Sequence, residues 1–295
     1  MKNKLLIKKL AIGTAQFGLI NYGVANKNKK NFNQSKVNKI INFCKKKKIF
    51  FLDTARVYGD SEKKLGLSGV EKFSVITKVP KLDLNLKFSL LKDQFNHFFF
   101  SSLRDLKINK IYAVLFHNEE QLLLKEGRII YELLNNLKKN NFTEKIGVSF
   151  HNPIHVKKIM KKYKFDIAEV PFNIFDNRIY RYQIVEYLKK KSVDIFCRSV
   201  FLQGLLLMKF RNLPKSIKKN ILVKSYFYDT SDNINKKIYL CLNHIFFHKD
   251  INKIIIGIDN IQHLKKIINF IKKIKPKMCE KYYNKDLHVI DPLKW

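Results

Sequence analysis

Short apolar runs rich in β-branched residues alternate along the chain with longer stretches in which apolar residues recur every three or four positions. The first pattern predicts strands and the second predicts amphipathic helices, so their alternation predicts βα units on a parallel sheet. The short runs place strands over 10–14, 50–53, 74–78, 111–116, 145–149, 167–171, 193–197 and 253–257. Apolar stripes with lysine-rich outer faces place helices over 37–46, 90–106, 129–139, 154–162, 181–190 and 261–271. Eight strands joined by helical crossovers predict an α/β fold closed into a (β/α)8 TIM barrel. No Pro-, Gly- or Ser-rich linker divides the chain. Residues 1–295 are therefore expected to form a single domain, with the barrel over roughly 8–272 and a C-terminal tail over 273–295. The stretch 204–236 reads as an elaborated loop after the seventh strand, of the length that serves as a lid or cover. The Phe98, Phe99 and Phe100 cluster is expected to pack a helix onto the barrel.

Composition changes this picture at one point. The 59 basic residues against 24 acidic ones give a net charge of +35, which raises the question of an anionic partner. Only 7 of the 59 are arginine, and the 52 lysines are scattered along the chain together with 28 asparagines. Readers of bases and phosphates lean on the arginine fork, so the lysines are expected to be solvated faces and no nucleic-acid partner is expected. Cys44, Cys197, Cys241 and Cys279 show no CxxC spacing, which suggests neither a zinc site nor a disulfide framework and fits a reducing cytoplasm. The N-terminus does not read as a signal peptide. The uncharged run 10–26 carries too many glycines and amides to span a bilayer, so no membrane association is expected.

The candidate chemistry lies in the run 50–62, where a buried strand ends in Asp53 and Tyr58 follows in the next loop. A barrel of this class gathers its functional groups at the C-terminal strand ends. Lys78 closes the third strand and His117 follows the fourth, so both face the same mouth as Asp53 and Tyr58. A phenol ionises near about 10, and a neighbouring ammonium favours the phenolate. Asp53 is expected to hold Lys78 charged, Lys78 to tune Tyr58, and Tyr58 to donate a proton to a carbonyl oxygen that His117 positions. His151 with His155, and His244 with His248, have helical i,i+4 spacing, but neither pair carries the acid of HExxH. Both pairs are read as capping and packing, and no metal is expected.

Asp53, Tyr58, Lys78 and His117 match in order and context the tetrad of the aldo-keto reductase family, which the chain resembles from about residue 10 to 270, with a lean toward its bacterial branch. Gly13-Thr14-Ala15-Gln16-Phe17-Gly18 is similar to the family's first-strand signature. Asp53-Thr54-Ala55, Tyr58-Gly59, Ser61-Glu62 and Leu65-Gly66 are similar to its second. The resemblance implies NADP or NAD bound extended across the mouth, and the chain has no GxGxxG loop. It also implies cofactor contacts at Gly13, Thr14 and Ser149, then at Arg198, Ser199, Leu202 and Gly204, and finally at Gly257, Asp259, Gln262, Lys265 and Lys266. Glu169 stands where a carboxamide-binding glutamine is usual, and Phe150 where an asparagine often is. Arg198 replaces an aromatic that stacks on nicotinamide, and can itself stack, bind an anion or form an ion pair. Tyr22 and Asn173 are candidate substrate contacts. The implied activity is NAD(P)-dependent reduction of a small-molecule carbonyl, or oxidation of the matching alcohol. The substrate is expected to be a sugar or nucleotide-sugar, and the oligomeric state stays open. The alternative is a catalytically weak cofactor-binding scaffold, like the potassium-channel β subunits that resemble this family.

Overall fold

A computed structural model describes residues 2–20, 22–24 and 32–295. Eight strands form one closed barrel in chain order: β1 (Leu10–Gly13), β2 (Phe51–Asp53), β3 (Ser74–Val79), β4 (Ile111–Phe116), β5 (Thr143–Ser149), β6 (Ile167–Pro171), β7 (Asp194–Arg198) and β8 (Lys253–Gly257). Every neighbouring pair is parallel, and Leu10–Ile254 through Gly13–Gly257 close the ring. The predicted fold class is therefore the observed one.

Side chains of a strand alternate between faces, and register partners share a face. Ala11, Ile76, Ala113, Leu115, Ile167, Phe196 and Ile255 fill the barrel interior. Ile12, Leu52, Val75, Val114, Val148, Val170 and Ile254 point outward into the layer beneath the helices. Burying each such side chain stabilises the fold by roughly 1.5–3 kcal/mol. Toward the C-terminal strand ends the inward positions become polar. Gly13 pairs with Asp53, Lys78 with Leu115, Ser149 with Glu169 and Pro171 with Arg198. One register thus carries Asp53, Lys78, Ser149, Glu169 and Arg198 to a common mouth.

The many asparagines have local work to do. Asn33, Asn220, Asn233 and Asn260 each cap a helix, accepting backbone N–H groups from the first turn. Two predicted elements need correction. The helix over 181–190 is two short helices, Arg178–Arg181 and Ile184–Lys190, because Gln183 between them takes a left-handed φ of 53°. The stretch 204–236 is not an open loop. It contains the helices Lys215–Lys218 and Ile221–Asp229 and the start of Ile234–Phe247, with Val223, Tyr226 and Phe227 buried. Ile221 and Tyr228 on the same helix are exposed, so apolar residues occur on both of its faces and no stripe marks it in the sequence. No helix among the described residues is long and apolar enough to cross a membrane.

Candidate active site

The loop after β2 continues the register of the sheet before it turns. Thr54 N–H donates to Ile76 O at 2.9 Å, and Arg56 N–H to Lys78 O at 3.2 Å. Two glycines then let the β1 loop press on the backbone of Tyr58. A Cβ on Gly18 would lie 1.7 Å from Tyr58 O, and Gly59 takes φ 57° with its Cβ position 2.6 Å from Gly18 O. No larger residue fits at Gly18 without moving Tyr58. His117 is set by its N–H, which donates to Val79 O at 2.9 Å.

Lys78 is wholly buried at the centre of the mouth. Its ammonium donates to Asp53 Oδ1 and, at 3.1 Å, to Thr54 O. It lies 3.5 Å from Glu169 Oε2 and 5.5 Å from the centroid of the Tyr58 ring. The Tyr58 and His117 rings meet edge to face with centroids 6.0 Å apart. All four expected groups therefore converge.

Burial works to lower the Lys78 pKa, but Asp53 and Glu169 outweigh it and hold the ammonium well above its ordinary range. Burial, with the charge of Glu169, pushes Asp53 up against the pull of Lys78. Burial works the same way on Glu169, yet Lys78, Arg198 and the Ser149 hydrogen bond hold it below the usual carboxylate range. The phenol departs from the sequence expectation. Lys78 does favour the phenolate, but burial is the larger effect and raises Tyr58 above its ordinary value, so the resting group is a neutral phenol. Burial and Lys78 push His117 down to about 3, leaving a neutral imidazole near neutral pH.

Glu169 and Arg198, the two departures from the family pattern, answer one another. Arg198 Nε lies 3.5 Å from Glu169 Oε1, while Ser149 Oγ donates to that same oxygen at 2.8 Å. The rest of the guanidinium donates to Phe150 O at 3.0 Å and Ser199 Oγ at 3.2 Å, and approaches His151 Nδ1 at 3.3 Å. Of the readings open for Arg198, the structure shows an ion pair. A charge removed from water needs such partners.

Residues 9–280 match the model of the Aldo/keto reductase family. The chain belongs to this family. It is thus an NAD(P)-dependent oxidoreductase of the carbonyl-reducing kind. No curated protein matches the sequence. Among solved structures, the holo form of the aldo-keto reductase AKR11C1 from Bacillus halodurans is similar over 93% of this chain and 89% of its own, at 18% identity and TM-score 0.71. The thermostable aldo-keto reductase Tm1743, in complex with the inhibitor epalrestat, is similar over 92% of each chain at 17% identity and TM-score 0.65. PA4992 from Pseudomonas aeruginosa is similar over 90% of each chain at 20% identity and TM-score 0.64. At these identities the likeness concerns the fold.

In this aldo-keto reductase two clefts meet at the mouth. The first runs from Asp53 and Tyr58 past Gly13, Thr14, Arg198, Ser199 and Gly204 to Gly257 and Asp259. Ser199 and Gln203 along it have positive φ, as does Gly204. Left-handed backbone is strained in non-glycine residues, and here it turns the segment after β7 along the cleft wall. Gln16 Oε1, also in this cleft, is a buried acceptor with no partner among the described residues. A cleft with an orphan acceptor, left-handed backbone on its wall and the N-terminus of helix Ile261–Lys273 beside Asp259 fits a dinucleotide. The second cleft holds Tyr22, Tyr58, His117 and Leu202, with Arg198 and Ser199 again on its wall. Tyr22 lines both.

Other expected contacts stand elsewhere. Ser149 and Glu169 are buried beneath the clefts, with the serine hydroxyl engaged by the carboxylate. Asn173 lines neither cleft. Its Oδ1 accepts from Phe175 N and Asp176 N, and its amide donates to Ser199 O at 3.1 Å, so it shapes the turn after β6. Gln262, Lys265 and Lys266 sit on helix Ile261–Lys273 outside the cleft lining, and Lys265 reaches over Phe43 at 5.9 Å. His244 and His248 pack on Phe172 and Tyr180.

Three features of the site were not foreseen. His263 lines the first cleft, and His151 and the C-terminal residues Ile290 to Leu293 line the second. His151 was legible in principle, since it lies two residues beyond Ser149 and alternation carries it to the same side. The tail has no periodic pattern to announce it.

Proposed function

We propose that this aldo-keto reductase reduces a hydroxylated aldehyde or ketone, a sugar or nucleotide-sugar, using NADP or NAD, with Tyr58 as the proton donor. The observation that carries the reading is the Lys78 ammonium, enclosed by Asp53 and Glu169 with the Tyr58 ring beside it. A dinucleotide in the first cleft would lie along Gly13, Thr14, Ser199, Gly204, Gly257 and Asp259. The bound nicotinamide supplies the hydride. A buried phenol that stays protonated at rest retains the proton that the developing alkoxide needs. As the proton leaves, the nearby ammonium stabilises the phenolate in a site with little water to screen it. Asp53 keeps that ammonium oriented and charged. His117, neutral and against the Tyr58 ring, would hydrogen-bond the same carbonyl oxygen. The test is NADPH or NADH oxidation with a panel of aldehydes and sugars, comparing wild type with Tyr58→Phe. The variant should bind cofactor, seen as a raised thermal midpoint, and lose turnover. Undiminished turnover would sink the mechanism.

A further inference from the structure

The His151 ring stands in the second cleft beside His117, nearly parallel to it at 24° and with centroids 6.0 Å apart. Its position is fixed from below. The N–H groups of His151 and Asn152 both donate to the buried Glu119 Oε1, at 3.0 and 2.9 Å. Its tautomer is fixed from the side. Arg198 Nη2 meets His151 Nδ1 at 3.3 Å and Phe150 O at 3.0 Å, so its two hydrogens have two acceptors. A guanidinium can only donate. Nδ1 therefore carries the lone pair and Nε2 the proton. Burial, reinforced by Arg198, holds the imidazole below the ordinary histidine range, so a single neutral tautomer persists. Nε2 has no hydrogen-bond partner among the described residues.

We propose that Nε2–H of His151 donates to a hydroxyl on the carbon next to the substrate carbonyl, which makes His151 the residue that selects α-hydroxylated aldehydes and ketones over unsubstituted ones. The inference rests on the reaction proposed at Tyr58. His117 adjoins Tyr58 and addresses the carbonyl oxygen, and His151 stands one ring further along the same cleft. Donors on rings 6.0 Å apart can reach oxygens carried by neighbouring carbons. Arg198 does not call for an anion here, because Glu169 faces its charge and both terminal nitrogens already donate to protein acceptors. The substrate group that His151 reads is accordingly a neutral hydroxyl.

Glycolaldehyde and acetaldehyde differ by that hydroxyl alone. The ratio of their kcat/KM values should fall about tenfold in His151→Phe and partly recover in His151→Gln, whose amide can donate. A ratio unmoved in a folded His151→Phe protein overturns the inference. Long-range 1H–15N spectra of histidine-labelled wild type give an independent reading. Protonated Nε2, shifted by glycolaldehyde more than by acetaldehyde, upholds the inference, and protonated Nδ1 overturns it. Wild type inert toward every carbonyl tested would count against the reaction at Tyr58, while these spectra would still decide the role of His151.

Discussion

Replacing Glu169 by Gln removes one charge from the centre of the site at nearly constant volume. Glu169 is fully buried, 3.5 Å from Lys78 Nζ through Oε2 and 3.5 Å from Arg198 Nε through Oε1. Lys78 retains Asp53 and the carbonyl of Thr54. Arg198 loses its carboxylate and keeps three neutral acceptors, with its side chain 19% exposed. Removing one partner of a buried pair costs roughly 3–5 kcal/mol, and the remaining acceptors bring the expected loss for Glu169→Gln down to about 2–3 kcal/mol. Arg198→Met should cost a similar amount, because Glu169 then shares Lys78 with Asp53. Neither charge is left stranded in the double variant, so its loss should be smaller than the sum by about 1–3 kcal/mol. The assay is urea unfolding of all four proteins, compared at equal m-values. Additivity within about 0.5 kcal/mol would refute the pairing.

Other expectations follow from the same geometry. Gly18→Ala places a Cβ 1.7 Å from Tyr58 O, so the loop must move; kcat/KM should drop by at least about tenfold, and wild-type kinetics would contradict the claimed contact. His244 and His248 are pushed down to about 3 and about 4 by burial, while the unfolded chain protonates near about 6.5. The unfolded state therefore binds these protons first as pH falls. Stability should decline from about pH 6.5 toward pH 3–4 by up to about 1.4 kcal/mol per unit for each histidine. A His244→Phe variant with an unchanged acid slope in pH-dependent unfolding would show that this histidine is not responsible.

The strands were legible because a barrel strand is buried on both faces and reads as a continuous apolar run. The predicted 111–116, 167–171 and 253–257 are the observed β4, β6 and β8. β7 is shifted by one residue because Arg198, a charge, continues the extended backbone as far as the mouth. The break at Gln183 was hidden because the left-handed residue there is neither glycine nor asparagine. Within the site, Asp53, Tyr58, Lys78 and His117 stood out through their positions at successive strand ends. The partnership of Glu169 with Arg198 links residues on adjacent strands, and nothing in either local sequence marks it. The phenol's raised proton affinity is hidden for the same reason: a neighbouring charge can be read from sequence, but depth of burial is a property of the packed mouth.

Tyr22, Tyr58, Arg198, Ser199 and Gln203 belong to both clefts at once. A partition shared in this way makes the two chambers thermodynamically interdependent. A dinucleotide that settles against one side and steadies Arg198 also steadies the imidazole that Arg198 contacts on the other. Linkage then requires the second occupant to tighten the first by the same factor. Ordered addition, with the carbonyl compound gaining affinity only after the dinucleotide has arrived, is the kinetic signature that such a wall would impose.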